Sequence, residues 1–198
     1  MRLYRIIVCA ALMSLPQLAL AQMNHPAPAP ADAQKIFTAL KSLSGSWVGA
    51  VQTFPRMPTV ETIGDSMRIT MRVLSRGNTI VHEMHGANKP DDPTKYDHPV
   101  TVIYLNEDGK LMLTHYCDAG NRPRMTATMS ADGKVIDFDF VDISGRHDRT
   151  GHMQHATFTL IDADHHIQEW TYLLPNQQTV RARFEASRAP VVTAGAAQ

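Results

Sequence analysis

Cysteine is almost absent from this 198-residue chain, with Cys9 and Cys117 the only two. Cys9 lies in an apolar run that is expected to be removed, which leaves Cys117 alone. No intrachain disulfide can then staple the fold, so a hydrophobic core must hold it. A charge excess is also missing. Lys and Arg number 19 and Asp and Glu 19, so there is no basic stripe for nucleic acid. Beyond the N-terminal segment, no continuous apolar run approaches the ~20 residues of a membrane helix. Catalytic signatures are missing too: there is no Gly-rich phosphate loop, no G-x-S-x-G elbow and no H-E-x-x-H. Glu83, Asp137, Asp139 and Glu169 are the acids a hydrolase would use, and no spacing forces any two together. No catalytic residue is assigned.

What is present begins with a leader. Arg2 and Arg5 precede the apolar stretch Ile6 to Leu15, and Ala19-Leu20-Ala21 has the small-x-small form of a cleavage site. This is the layout of a secretory signal peptide over residues 1–21, and it predicts a periplasmic or secreted protein. Cys9 follows Val8, where a lipoprotein signal would need a small residue, so no lipid anchor is expected. Residues 22–31 include the Pro/Ala alternation MNHPAPAPA, which favours an extended linker. Residues 189–198 read as a flexible tail. The folded domain is expected over 32–188.

One helix is expected. Asp32 can cap it, Ile36, Phe37, Leu40 and Leu43 share a face, and Gly45 stops it. From there the period falls to two. Met67, Ile69, Met71 and Val73 alternate with Arg68, Thr70 and Arg72, the mark of a half-buried strand. Asn106-Glu107-Asp108-Gly109 and Ala131-Asp132-Gly133-Lys134 join further alternating runs as tight hairpins. Residues 87–98 form a longer loop, and Asp118 to Pro123 is read as another. About ten short strands follow one another with no helix between them. Parallel crossovers are excluded, because they need a dozen or more connecting residues. Closure removes the exposed edges of such a meander, so the expected fold is all-β: a closed up-and-down antiparallel barrel with one short N-terminal helix. A two-sheet sandwich is the alternative.

Two stretches carry a resemblance. Leu43-Ser44-Gly45-Ser46-Trp47-Val48-Gly49 resembles the L-x-G-x-W-x-G opening of calycin-type barrels, the lipocalins, fatty-acid-binding proteins and nitrobindin-like haem barrels. The run Leu113-Thr114-His115-Tyr116-Cys117 with Ala119-Gly120-Asn121 and Pro123-Arg124-Met125, together with Gly151-His152-Met153, Asp162-Ala163-Asp164-His165 and Trp170, is similar to an uncharacterised family of exported bacterial lipocalin-like domains. The resemblance spans most of Leu43 to Ser187. It implies a barrel with a lumen and carries over no catalytic residue.

Strand parity assigns faces. Leu111, Leu113, His115 and Cys117 share the more apolar face of one strand, and Ile80, His82 and Met84 that of another. His152, Gln154, Phe158 and Leu160 share a third. Trp170 and Tyr172 share a face for which Ile167 and Leu173 compete, so that strand is ambiguous. His82, His115 and His152 are thus expected on the inner face of three strands. Three imidazoles converging there would suit zinc or copper, and one would suit haem iron. The plainer reading is hydrogen-bonding histidines in a polar lumen, and no cofactor is predicted. Cys117 is read as a buried thiol, with a nucleophile beside His115 as the alternative. Asn121, Arg122 and Arg124 form either an entrance for an anionic head group or a solvated loop.

The expected function is binding of a small, apolar or amphipathic molecule in the lumen. Trp47, His82, Met84, His115, Cys117, Arg124, His152, Phe158 and Trp170 are the candidate contacts, and the eleven methionines suit an adaptable wall. The alternatives are a haem or metal barrel, an enzyme using the same lumen, and a structural protein with a filled interior.

Overall fold

The computed structural model describes residues 30–56, 66–90, 92–146 and 150–190. The expected leader, nearly all of the linker and most of the tail lie outside them. Helix α1 (Pro30–Lys41) opens the described chain. It starts two residues before Asp32, because proline is well suited to the first helical turn, where its missing N–H has no partner to lose. Ala33, Ile36, Phe37 and Leu40 form its buried stripe, and Leu43 joins them in the core. The helix ends before Gly45: the amides of Ser42, Leu43 and Ser44 bond back three residues, to the carbonyls of Ala39, Leu40 and Lys41, a tight finish that turns the chain into the first strand.

Ten strands follow: β1 (Gly45–Phe54), β2 (Ser66–Leu74), β3 (Thr79–Gly86), β4 (Val100–Leu105), β5 (Leu111–Tyr116), β6 (Asn121–Met129), β7 (Val135–Gly145), β8 (His152–Leu160), β9 (His165–Leu173) and β10 (Thr179–Arg188). Each pairs antiparallel with its sequence neighbour, and β1 pairs with β10 to close the barrel. The expected fold class is therefore the observed one, and the sandwich is excluded. Closure runs through eight cross-strand positions, from Trp47 opposite Arg188 to Phe54 opposite Arg181.

The hairpins form where tight turns were expected. At the β4–β5 turn, Gly109 takes a φ of 73°, a left-handed conformation that costs glycine little. Its amide bonds the Asn106 carbonyl at 3.0 Å.

Two elements depart from the sequence expectation. Asn121 to Pro123 belongs to β6 rather than to a loop, and pairs with Gly145, Ser144 and Ile143 of β7. Pro123 is tolerated because β5 pairs with β6 only from Arg124 to Thr126, so no partner on that side requires its missing N–H. The second departure is in β8, where the register slips between Met153 and His155. One extra residue there reverses the alternation toward the start of the strand.

Alternation along the strands sends one set of side chains inward, and the inside is layered. At the end bearing α1, Trp47, Ile69, Ile80, Leu111, Ile136 and Phe158 pack with the helix into a closed core. Trp47 is fully buried and its Nε1 donates to the Leu43 carbonyl at 2.8 Å. Arg188 lies over its ring, 4.1 Å from the centroid, and also donates to the carbonyls of Ser44 and Ala163. These contacts tie the first and last strands to the helix turn.

Candidate functional site

A polar layer crosses the barrel above that core. β9 supplies His166, Gln168 and Trp170, all buried, which settles the ambiguous strand: these three point inward, and Ile167 and Glu169 outward. Indole nitrogen only donates, so the 3.1 Å contact from Trp170 Nε1 fixes Oε1 as the Gln168 atom facing it. An amide oxygen only accepts, so His82 Nε2, at 3.0 Å from the same oxygen, must carry a proton. The amide nitrogen of Gln168 then donates to His166 Nε2 at 2.9 Å, which makes His166 a neutral acceptor. On the paired strands β4 and β5, Thr101 Oγ1 lies 2.9 Å from His115 Nδ1.

Burial keeps all three imidazoles neutral. Lost hydration drives His82 down to about 4. It drives His115 to about 3, helped by His82. It drives His166 to about 4, helped by His82 and Arg188. Among the described residues, Nδ1 of His82, Nε2 of His115 and Nδ1 of His166 have no hydrogen-bond partner.

Beyond this layer the barrel opens. A cavity of about 640 Å³ occupies the end opposite α1, within the size range of small-molecule sites. Trp170 lies at its floor. Its wall includes Val51, Met67, Met84, Met153, Val180 and Phe184. At its mouth stand Lys89, Lys95, Tyr96 and Asp97 from the loop after β3, Asp118 from the loop after β5, and Tyr172 from β9.

The candidate residues fall into different places. Met84 and Trp170 line the cavity. His82 and His115 are buried on the inner side, their rings 5.7 and 5.3 Å from that of Trp170. Phe158 is core, edge-on to Trp170 at 5.9 Å. Trp47 closes the opposite end.

His152 is displaced by the β8 bulge. Met153 takes the cavity position, and His152 lies beside Phe140 with ring centroids 4.8 Å apart. The expected inner set of His82, His115 and His152 is corrected to His82, His115 and His166. Nor do these histidines converge. Among the described residues, the only three potential ligand atoms within 4.8 Å of one another belong to Asp97, Cys117 and Asp118.

Arg124 faces outward, where it forms a two-point pair with Asp142 that draws the carboxyl of Asp142 below its usual range. Arg122 Nε contacts Ser144 Oγ at 3.3 Å. Asn121 is buried, and its Nδ2 donates to the Gly151 carbonyl at 2.8 Å. Arg122 and Arg124 thus tie β6 to β7, Asn121 ties β6 to the residue before β8, and none of the three lines the cavity. Cys117 is half-buried, and burial raises its thiol to about 11, far from an activated thiolate.

Sequence reading missed Gln168, His166, Tyr96, Tyr172 and Met153. Period-two alternation from Trp170 through Gln168 to His166 was the available signal; it was obscured because two of the buried positions of β9 are held by polar residues, His166 and Gln168.

The class that emerges is a closed ten-stranded antiparallel barrel, solid at its helix end and hollow at the other. No protein-family model matches the chain, and no curated protein matches it. A solved structure similar in part is a protein of unknown function from the DUF3598 family of Nostoc punctiforme, at 10% identity and a TM-score of 0.40. The match covers 76% of this chain and 48% of that one, so this chain spans about half the length of its structural neighbour.

Proposed function

We propose that the barrel is a binding module that holds one small, largely apolar molecule in the cavity at its open end, the use of the lumen that the calycin resemblance implies. The observation that carries this reading is the cavity itself: about 640 Å³, walled by methionine, valine and aromatic side chains. Thioether side chains adapt to irregular ligands, and an apolar wall with few polar groups is what small-molecule sites require. Export to the periplasm stands beside this as a separate proposal from the sequence, tested by N-terminal sequencing of the mature chain.

Native mass spectrometry of protein taken from its own host tests the binding reading, together with titration of N-phenylnaphthylamine, a neutral apolar fluorophore. A co-purified small molecule and stoichiometric fluorophore binding are expected. Ala182→Phe, which places a ring in the cavity, is expected to abolish both. A bare chain mass with no fluorophore binding overturns the reading, as does full binding by a folded Ala182→Phe protein.

A further inference from the structure

We propose that the ligand of this cavity is a cationic amphiphile, an organic ammonium group on an apolar body, with its charge held at the mouth between Asp97 and Asp118 and against the ring of Tyr172. The proposal rests on the reading of the cavity as a binding site and adds the sign and place of the ligand's charge.

The four charged residues lining the cavity are not equivalent. Lys95 already has a counter-charge, its Nζ lying 3.2 Å from the Asp92 carboxylate. Lys89 lies over the ring of Tyr96, 5.7 Å from the centroid. The carboxylates, by contrast, face each other. Asp97 Oδ1 accepts the Asp118 backbone N–H at 3.1 Å, and a carboxylate oxygen of each lies within 4.8 Å of the other and of Cys117 Sγ. Among the described residues no side-chain cation forms an ion pair with either. Two negative charges this close repel, and withdrawal from water compounds the strain. Lost hydration and the Asp118 charge together raise Asp97 to about 6. A positive group between them relieves both effects.

Two further features favour an ammonium. Tyr172 and Trp170 line the same cavity, and aromatic faces attract ammonium groups through the ring quadrupole. The apolar wall beneath accepts a hydrocarbon body. A metal ion at the same oxygens would leave the apolar wall and the aromatic rings beneath it uncontacted. An anionic head group at this position would meet two carboxylates.

The test compares decyltrimethylammonium, decanol and decanoate below their micellar concentrations at neutral pH, by calorimetry and tryptophan fluorescence. The ammonium is expected to bind at least about tenfold more tightly than decanol, and decanoate most weakly. The Asp97→Asn/Asp118→Asn protein, its fold checked by circular dichroism, is expected to bring the ammonium and decanol within about twofold of each other. Asp118→Asn alone serves the same comparison if the double variant does not fold. Equal binding of the three molecules, a preference for decanoate, or an unchanged ratio in the folded variant overturns the proposal while leaving the cavity a binding site. Failure of all three to bind overturns the cavity reading with it.

Discussion

Gln168 donates its amide N–H to His166 Nε2 across 2.9 Å, and the direction of that bond is set by Trp170 on the other side of the amide. One side chain therefore fixes the proton positions of two buried imidazoles and accepts the indole N–H. Gln168→Leu removes all three contacts at once and leaves the polar atoms buried. Each orphaned group costs on the order of 1–3 kcal/mol, so a loss of about 3 kcal/mol or more in urea unfolding is expected. Thr101→Val, which strands only His115 Nδ1, is expected to lose about a third to a half as much. Equal losses would show that the network is not shared through Gln168.

Acid sensitivity follows from the same layer. His82, His115 and His166 titrate near 4, 3 and 4 in the folded chain, below the ordinary 6.5. The unfolded chain thus binds protons first. Their stabilising contribution is complete above about pH 6.5 and is lost as pH falls toward 4 and 3, with a slope of up to about 1.4 kcal/mol per pH unit for each histidine. Asp97 acts in the opposite direction: it titrates near 6 when folded, above its ordinary 3.8, and so takes up a proton preferentially in the folded state. Asp97→Asn is expected to steepen the loss of stability between about pH 6 and pH 4. A flat urea midpoint across that window in the unmodified protein contradicts this account.

Barrel closure has a steric test. Gly49 lies opposite Ala186 in the β1–β10 pairing, and a Cβ there would lie 2.9 Å from the Glu185 carbonyl oxygen. The obstacle is backbone, which cannot swing aside. Gly49→Ala is expected to cost about 1–3 kcal/mol, read as a lowered melting temperature. Ala50→Ser, on the exposed side of the same strand, is expected to stay within about 0.5 kcal/mol of the parent.

Cys117 supplies a chemical readout. Burial raises its thiol to about 11, with the Asp97 and Asp118 charges adding to the effect. Alkylation by iodoacetamide is expected to be slow at neutral pH and to rise beyond the range in which an ordinary thiol, with a pKa near 8.5, has levelled off. Fast labelling at neutral pH, at the rate of a free thiol, would contradict a thiol held protonated by its burial beside Asp97 and Asp118.

Much of the barrel was legible from residues alone. The alternation of Met67, Ile69 and Met71, the Asp-Gly turns, and the missing crossover segments are local facts, and strand pairing between neighbours follows from them. The helix face of Ile36, Phe37 and Leu40 was equally plain. The candidate site was legible only in part. His82 and His115 fell on the expected side because β3 and β5 run without interruption. His152 did not, because a bulge has no signature in a parity count.

The sequence by itself determined that the chain forms antiparallel strands, how many there are, and which side chains share a face wherever a strand is regular. These depend on spacing along the chain, which the residues state directly. The tertiary structure decided where parity is reversed, which polar residues are buried, and which loops meet to form a mouth. Those outcomes depend on pairs such as Gly49 with Ala186, which meet only when β1 pairs with β10, and Asp97 with Asp118, which meet only when β4 pairs with β5.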